Sequence, residues 1–218
     1  MRIAESIYAA VTRFHDLVDA RTQQQETACP ELVCPPDCCD CCRGSIFLIT
    51  ALDFAYLCRH VAEHFSPDEA SEVVGLARPQ YEEWGTDLAI RLESSDERVD
   101  IAQYQACPLL LRGRCRVYPA RPTPCRLFGR TRFASGRLNL CDLLFRRLPA
   151  GKNGDAHGQR HRMLPVVETY SLSLAALLRR AGPDLAIEET ERLVHVGTLP
   201  AFIAQTEFDV DRLLDIIP

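Results

Sequence analysis

The sequence predicts a mainly α protein of the α+β class: helices around a small, irregular, partly β centre rich in cysteine. Three observations predict it. Apolar residues recur at helical spacing towards both ends of the chain. Cysteine, proline and arginine crowd into two central segments. The one hairpin-like pattern lies in the second of these. With 218 residues, 47% apolar and 25% charged, the composition is globular and excludes a disordered or low-complexity chain. One domain over residues 1–218 is expected, with an N-terminal helical part (1–28), a cysteine-bearing core (29–147) and a C-terminal helical part (148–218).

Residues 3–20 read as an amphipathic helix, with Ile3, Ile7, Val11, Phe14, Leu17 and Val18 near helical spacing. Residues 21–44 read as a polar lead-in and then a cysteine loop, where Pro35, Pro36 and Gly44 discourage helix. Thr50, with Asp53 three residues on, resembles a capping box opening a helix to about His64. Ser66-Pro67-Asp68-Glu69 opens another, with proline and acids in the first turn, running towards Leu92 with an interruption near Pro79. Phe133 to Leu138 looks like a hairpin, and 149–164 is a polar, glycine-rich loop. Helices are expected over 165–181, 184–195, 198–205 and 209–216, with breaks at Gly182-Pro183 and Gly197.

No stretch approaches the ~20 apolar residues a bilayer span needs. The best candidates, Gly44 to Leu52 and Tyr170 to Leu178, are each nine residues without a charge. Glu5, Arg13, His15 and Asp16 break up any signal-like apolar run. A cytoplasmic protein without a membrane partner is therefore expected.

The 11 cysteines need a physical reason. In a reduced compartment disulfides do not persist, and clustered thiols are more often metal ligands. One group is Cys29, Cys34, Cys38, Cys39, Cys41 and Cys42, and another is Cys107, Cys115, Cys125 and Cys141, with Cys58 alone between them. Cys38 and Cys41 have the two-residue knuckle spacing that lets two thiolates grip one ion; with Cys34 the pattern is C-x3-C-x2-C-C. Cys41 and Cys42 are adjacent, and in an extended segment their side chains point to opposite sides. Either one of them ligates, or they serve different metals, or one is a spare redox thiol. Cys58, inside a helical run, and Cys29 read as small buried hydrophobes.

Residues 107–147 hold ten Arg and one acid, Asp142, a net +9 in a chain of −5, so the remainder carries −14. One reading is nucleic-acid binding. The other is internal: arginines beside ligand candidates stabilise thiolates. Because the arginines interleave with cysteines, the internal reading is preferred and a nucleic-acid partner disfavoured. His60 and His64, like His157 and His161, are four apart, but with so many thiols available no histidine is placed among the ligands. No HExxH, phosphate-binding loop or dinucleotide fingerprint is present.

Cys34, Cys38, Cys41-Cys42-Arg43, Cys107-Pro108-Leu109-Leu110, Cys115-Arg116-Val117-Tyr118, Arg121-Pro122 and Cys125-Arg126-Leu127-Phe128 together resemble a bacterial cysteine-cluster family. That family (YkgJ-type) is described as a zinc- or iron-chelating domain with a CxxCxxCC motif. The pattern is also similar to the cysteine motif of flagellin lysine N-methylases. The likeness spans about half the chain. Here the first spacing is x3 rather than x2, and Cys39 stands where the family usually has glycine. The resemblance implies metal binding, with Cys34, Cys38, Cys41, Cys42, Cys107, Cys115 and Cys125 as candidate ligands and Cys141 as the eighth.

Four thiolates saturate either a structural Zn2+ or a [4Fe–4S] iron–sulfur cluster. The Cys107-Pro108 pair resembles the end of a ferredoxin run, and a second C-x2-C knuckle is missing, so a [4Fe–4S] cluster is preferred over zinc or iron alone. The expected function is a metal-binding protein with a Cys-ligated iron–sulfur, iron or zinc centre, structural or redox-active. The alternatives are a protein-modifying enzyme related to lysine N-methylases, and a nucleic-acid or partner-binding module using the arginine-rich centre. A protein partner is left open.

Overall fold

A computed structural model of the chain describes residues 3–35, 38–44, 47–84, 106–129, 131–132, 138–139, 141, 143–144, 164–165, 176–180, 182 and 187–217. It is mainly helical, with short strand pairings, as the sequence predicts.

Helix α1, Glu5–Ala28, runs eight residues beyond the expected end. The supposed lead-in contains no Gly or Pro before Pro30, and Thr22 and Gln25 continue its buried face. That face passes through Ile7, Val11, His15 and Val18, whereas Leu17, expected inside, is 56% exposed. After a 3-10 turn at Pro30–Leu32, the expected cysteine loop contains one helical turn, α2, Asp40–Gly44.

Strand β1, Leu48–Thr50, leads into α3, Ala51–His64, and the capping box is present: Asp53 N–H donates to Thr50 Oγ1 at 3.1 Å. Ser66 and Glu69 cap α4, Pro67–Trp84, reciprocally: Glu69 N–H donates to Ser66 Oγ at 3.3 Å and Ser66 N–H to Glu69 Oε2 at 2.8 Å. α4 passes through Pro79 rather than stopping there, held by Val73, Val74, Ala77 and Gln80 packed inward on both sides of it. The expected extension to Leu92 lies outside the described residues, as do Phe133 to Gly136 and most of 149–164.

Strands β2, Leu110–Leu111, and β3, Arg114–Cys115, form an antiparallel hairpin. Its two loop residues, Arg112 (φ 50) and Gly113 (φ 78), are both left-handed, the geometry whose twist suits a two-residue hairpin. A 3-10 turn at Tyr118–Ala120 then leads to the short helix α5, Thr123–Leu127. β4, Thr131–Arg132, pairs antiparallel with β5, Leu138–Asn139, around the expected hairpin, and parallel with β6, Leu164–Pro165, where the sequence reading began a helix. Residues 176–180 are helical. They are followed by α6, Ile187–Leu193, β7, Val196–Thr198, α7, Leu199–Thr206, and α8, Val210–Ile216.

β7 pairs antiparallel with β1, Leu48 opposite Thr198. This pairing was not foreseen. Three-residue strands carry no usable period, and the partners are 150 residues apart in sequence. It sets α7 beside α3 and α4. Phe54 of α3, wholly buried, stacks on Phe202 and Phe208 at centroid distances of 5.1 and 6.0 Å. The core draws on α1 (Ile7, Val11), α3 (Leu52, Leu57), the hairpin region (Leu109, Val117) and the C-terminal helices (Ile203, Leu213). Among the described residues no helix is long and apolar enough to cross a membrane.

Candidate metal centre

The hairpin brings the second cysteine group together. Pro108 presets a turn from Cys107 to Leu110, closed by Leu110 N–H on Cys107 O at 2.9 Å. The register then puts Cys115 opposite Leu110, so the two thiols stand at one end of the same ribbon. The Leu109 N–H donates to the Cys107 sulfur and the Val117 N–H to the Cys115 sulfur. The Leu144 N–H reaches Cys141 Sγ at 3.4 Å. Such bonds favour a sulfur carrying negative charge.

The first group meets the second through the backbone: Cys107 N–H donates to Cys42 O at 2.7 Å. In α2, Cys41 and Cys42 do not diverge as they would in a strand. The helical turn leaves their sulfurs 4.0 Å apart. The Cys42 S–H hydrogen-bonds the Cys41 sulfur and lowers the Cys41 pKa to about 7, with Arg121 adding to the effect; Cys42 is pushed up in return. Burial pushes Cys107 up to about 12 and raises Cys115, Cys125 and Cys141.

The charge of Cys41 acts on Cys42, Cys107, Cys115, Cys125 and Cys141, and that of Cys38 on Cys141. Seven of the eight candidates, Cys38, Cys41, Cys42, Cys107, Cys115, Cys125 and Cys141, therefore share one electrostatic neighbourhood. Cys34 is half-buried. As they stand, no three His, Cys, Asp or Glu side chains among the described residues are arranged to hold a metal ion. The donor set nevertheless suits a thiophilic metal: all sulfur, with backbone N–H groups already turned on Cys107, Cys115 and Cys141.

The remaining cysteines are elsewhere. Cys58 is buried in α3 and Cys29 at the end of α1, its S–H on Glu31 Oε2 at 3.2 Å, in accord with the packing reading. Cys39 is buried beneath the hairpin loop, where a Cβ on Gly113 would lie 4.0 Å from its sulfur.

Three of the described arginines of the basic centre, Arg116, Arg121 and Arg126, are engaged internally. Arg116 pairs with Glu69 and Glu72 of α4 at 3.3 and 2.8 Å. Arg126 is buried, bonded to Asp19, Pro119 O and Arg121 O. Arg121 acts on the thiols, lowering Cys41 and Cys115, while it stacks on Tyr118 at 4.1 Å and lies 3.7 Å from Asp19.

One group was missed in the sequence. His15, Thr50, Asp53 and Thr123 form a buried network. Thr123 gives both N–H and O–H to Asp53 Oδ1 at 3.1 Å, and Thr50 O–H donates to Asp53 Oδ2 at 3.2 Å. His15 Nε2 is 3.1 Å from Thr123 Oγ1 and 3.5 Å from Asp53 Oδ1. Asp53 had been read only as a cap for α3. The one available signal was a histidine at the Ile7, Val11, Val18 spacing of α1. Comparison with family models, with curated protein sequences and with solved structures finds no match to this chain.

Proposed function

We propose that the chain is a metal-binding protein whose centre is ligated by thiolates drawn from Cys41, Cys42, Cys107, Cys115 and Cys125, with Cys38 and Cys141 beside them. The observation that carries this reading is the meeting of two cysteine groups, about 65 residues apart, with backbone N–H groups turned towards several of the sulfurs. The resemblance of the same cysteines to those of a zinc- or iron-chelating cysteine-cluster family agrees with it. Bound metal draws these segments together, so ligation and folding are linked.

A [4Fe–4S] cluster, which would give the centre a redox role, remains the preferred occupant on the sequence spacing. The 4.0 Å between Cys41 and Cys42 sulfurs favours a second reading, since two thiolates on one tetrahedral ion with ~2.3 Å bonds stand about 3.8 Å apart. Elemental and acid-labile sulfide analysis of protein purified without oxygen separates the two. Iron with matching sulfide is expected, stoichiometric zinc supports the single-ion reading, and protein without stoichiometric metal overturns both.

A further inference from the structure

Resting on the metal-centre reading, we propose that Asp53 is a positioning residue of that centre: through Thr123, and with His15 behind it, it fixes the short helix that carries Cys125.

The argument begins with what α5 lacks. It has five residues, too few to be stable alone, so its place in the fold is set by its anchors. Its N-cap is Pro122, which has no side-chain acceptor for the unpaired N–H groups of the first turn. That acceptor comes from 70 residues away in sequence: Asp53 Oδ1 takes the Thr123 N–H and, at the same time, the Thr123 hydroxyl.

Asp53 is itself fixed by Thr50, with which it forms the capping box of α3. One buried carboxylate thus stands at the N-terminal ends of both α3 and α5, where the two helix dipoles favour its charge. Because the Thr123 hydroxyl donates to Asp53, it accepts from His15, which places the proton of His15 on Nε2. The line His15, Thr123, Asp53 ties α1, α5 and α3 into one buried junction. Cys125 lies two residues from that junction on a single helical turn, so a shift of Thr123 carries the sulfur with it.

The arrangement exceeds what capping of α3 requires. Thr50 satisfies the Asp53 N–H, and Asp53 Oδ1 takes both donors of Thr123, with His15 Nε2 3.5 Å away. His15, 3% exposed, is an expensive residue to bury among Ile7, Val11 and Val18 unless its hydrogen bond is used.

The test uses Co2+ as the probe, titrated anaerobically into reduced, metal-free full-length protein. Sulfur-to-cobalt charge-transfer intensity per bound cobalt reports how many thiolates ligate, and a chelator challenge reports the release rate. Thr123→Val is expected to behave as Cys125→Ser does, losing about a quarter of the per-cobalt intensity if one of four thiolates leaves. Release should quicken by about ten-fold or more, as when other outer partners of metal ligands are removed. Asp53→Asn, which keeps shape and one acceptor, should quicken release in the same direction, and Thr123→Ser should restore the wild-type intensity.

A merely structural junction would lower the melting temperature without changing the per-cobalt intensity. Wild-type intensity with release within about two-fold in both Thr123→Val and Asp53→Asn overturns the proposal. So does failure of both to fold where Cys125→Ser folds, since the junction then holds the fold and not the ligand. Wild-type protein that takes up no cobalt overturns the metal-centre reading itself, a distinct result.

Discussion

Two neighbouring arginines show how a residue's role depends on direction. Arg126 adjoins Cys125 in sequence and on that ground was expected to stabilise its thiolate. Consecutive residues of a helix point about 100° apart, and Arg126 turns instead to Asp19 and two backbone carbonyls. Its removal takes a donor from two backbone carbonyls and from a half-exposed carboxylate that water reaches. Arg126→Ala should cost about 1–3 kcal/mol, read as a fall in urea midpoint. Arg121 is a cation whose charge lowers thiols of the site. Since its charge lowers Cys41 and Cys115, Arg121→Ala should raise both, letting protons displace metal at a higher pH. The pH of half-release, followed by chelator colour, should rise in Arg121→Ala while Arg126→Ala leaves it nearer wild type. Cys58→Ala should keep the metal, at a cost of core packing alone.

At the scale of elements, the hairpin Leu110–Cys115 is the part of the site with the clearest local logic. Gly113 has φ 78, and a Cβ there would find its nearest neighbour, Cys39 Sγ, at 4.0 Å. Space is adequate, so strain decides the outcome. Gly113→Val should cost about 1–2 kcal/mol in urea unfolding, because a β-branched residue is poorly tolerated in the left-handed region, whereas Gly113→Asn should cost less. Metal retention should follow the same order, since Cys107 and Cys115 stand at the other end of this ribbon. The capping box at Thr50–Asp53 and the helix start at Ser66-Pro67 were legible because they are local information; the reciprocal Ser66–Glu69 bonds are a finding of the structure. The β1–β7 pairing and the turn of helix at Asp40–Gly44 were not legible. The first depends on a partner 150 residues away, and the second forms within a segment whose prolines argue against helix.

For the whole molecule, the buried thiols set an alkaline limit. In metal-free, reduced protein, Cys107 keeps its proton to about pH 12, while in the unfolded chain it loses it near the ordinary value of 9. Between those values the folded state binds more protons, so stability is fully present below about pH 9 and falls as pH rises towards 12. The slope is about 1.4 kcal/mol per pH unit for each such thiol, and Cys115, Cys125 and Cys141 act in the same direction. Urea midpoints of the metal-free protein at about pH 9 and pH 11 should show it, above the range in which Cys41, lowered to about 7, acts in the opposite direction, and bound metal should remove most of the dependence. The internal ion pairs of Arg116, Arg121 and Arg126 bear on the basic centre as well. Metal-loaded protein should bind a labelled oligonucleotide no more tightly than the non-specific level of about 10⁻⁴ to 10⁻⁶ M at physiological salt. Tighter binding by the metal-loaded form than by the metal-free form would show that the centre organises a nucleic-acid surface instead.

The sequence by itself determined the helical class, the two capped helices that begin at Ala51 and Pro67, and the burial of Cys58. These follow from spacing within a few residues. Tertiary structure decided that Cys41 and Cys42 stand side by side, that the charge of Arg121 lowers thiols of the site while Arg126 turns to Asp19, that Cys39 turns beneath the hairpin, and that Asp53 serves two helices at once. Each of these depends on the direction of a side chain or on a partner 70 or more residues away. A linear pattern records which residues are present and how far apart they lie, but direction and distant contact arise only when the helices pack.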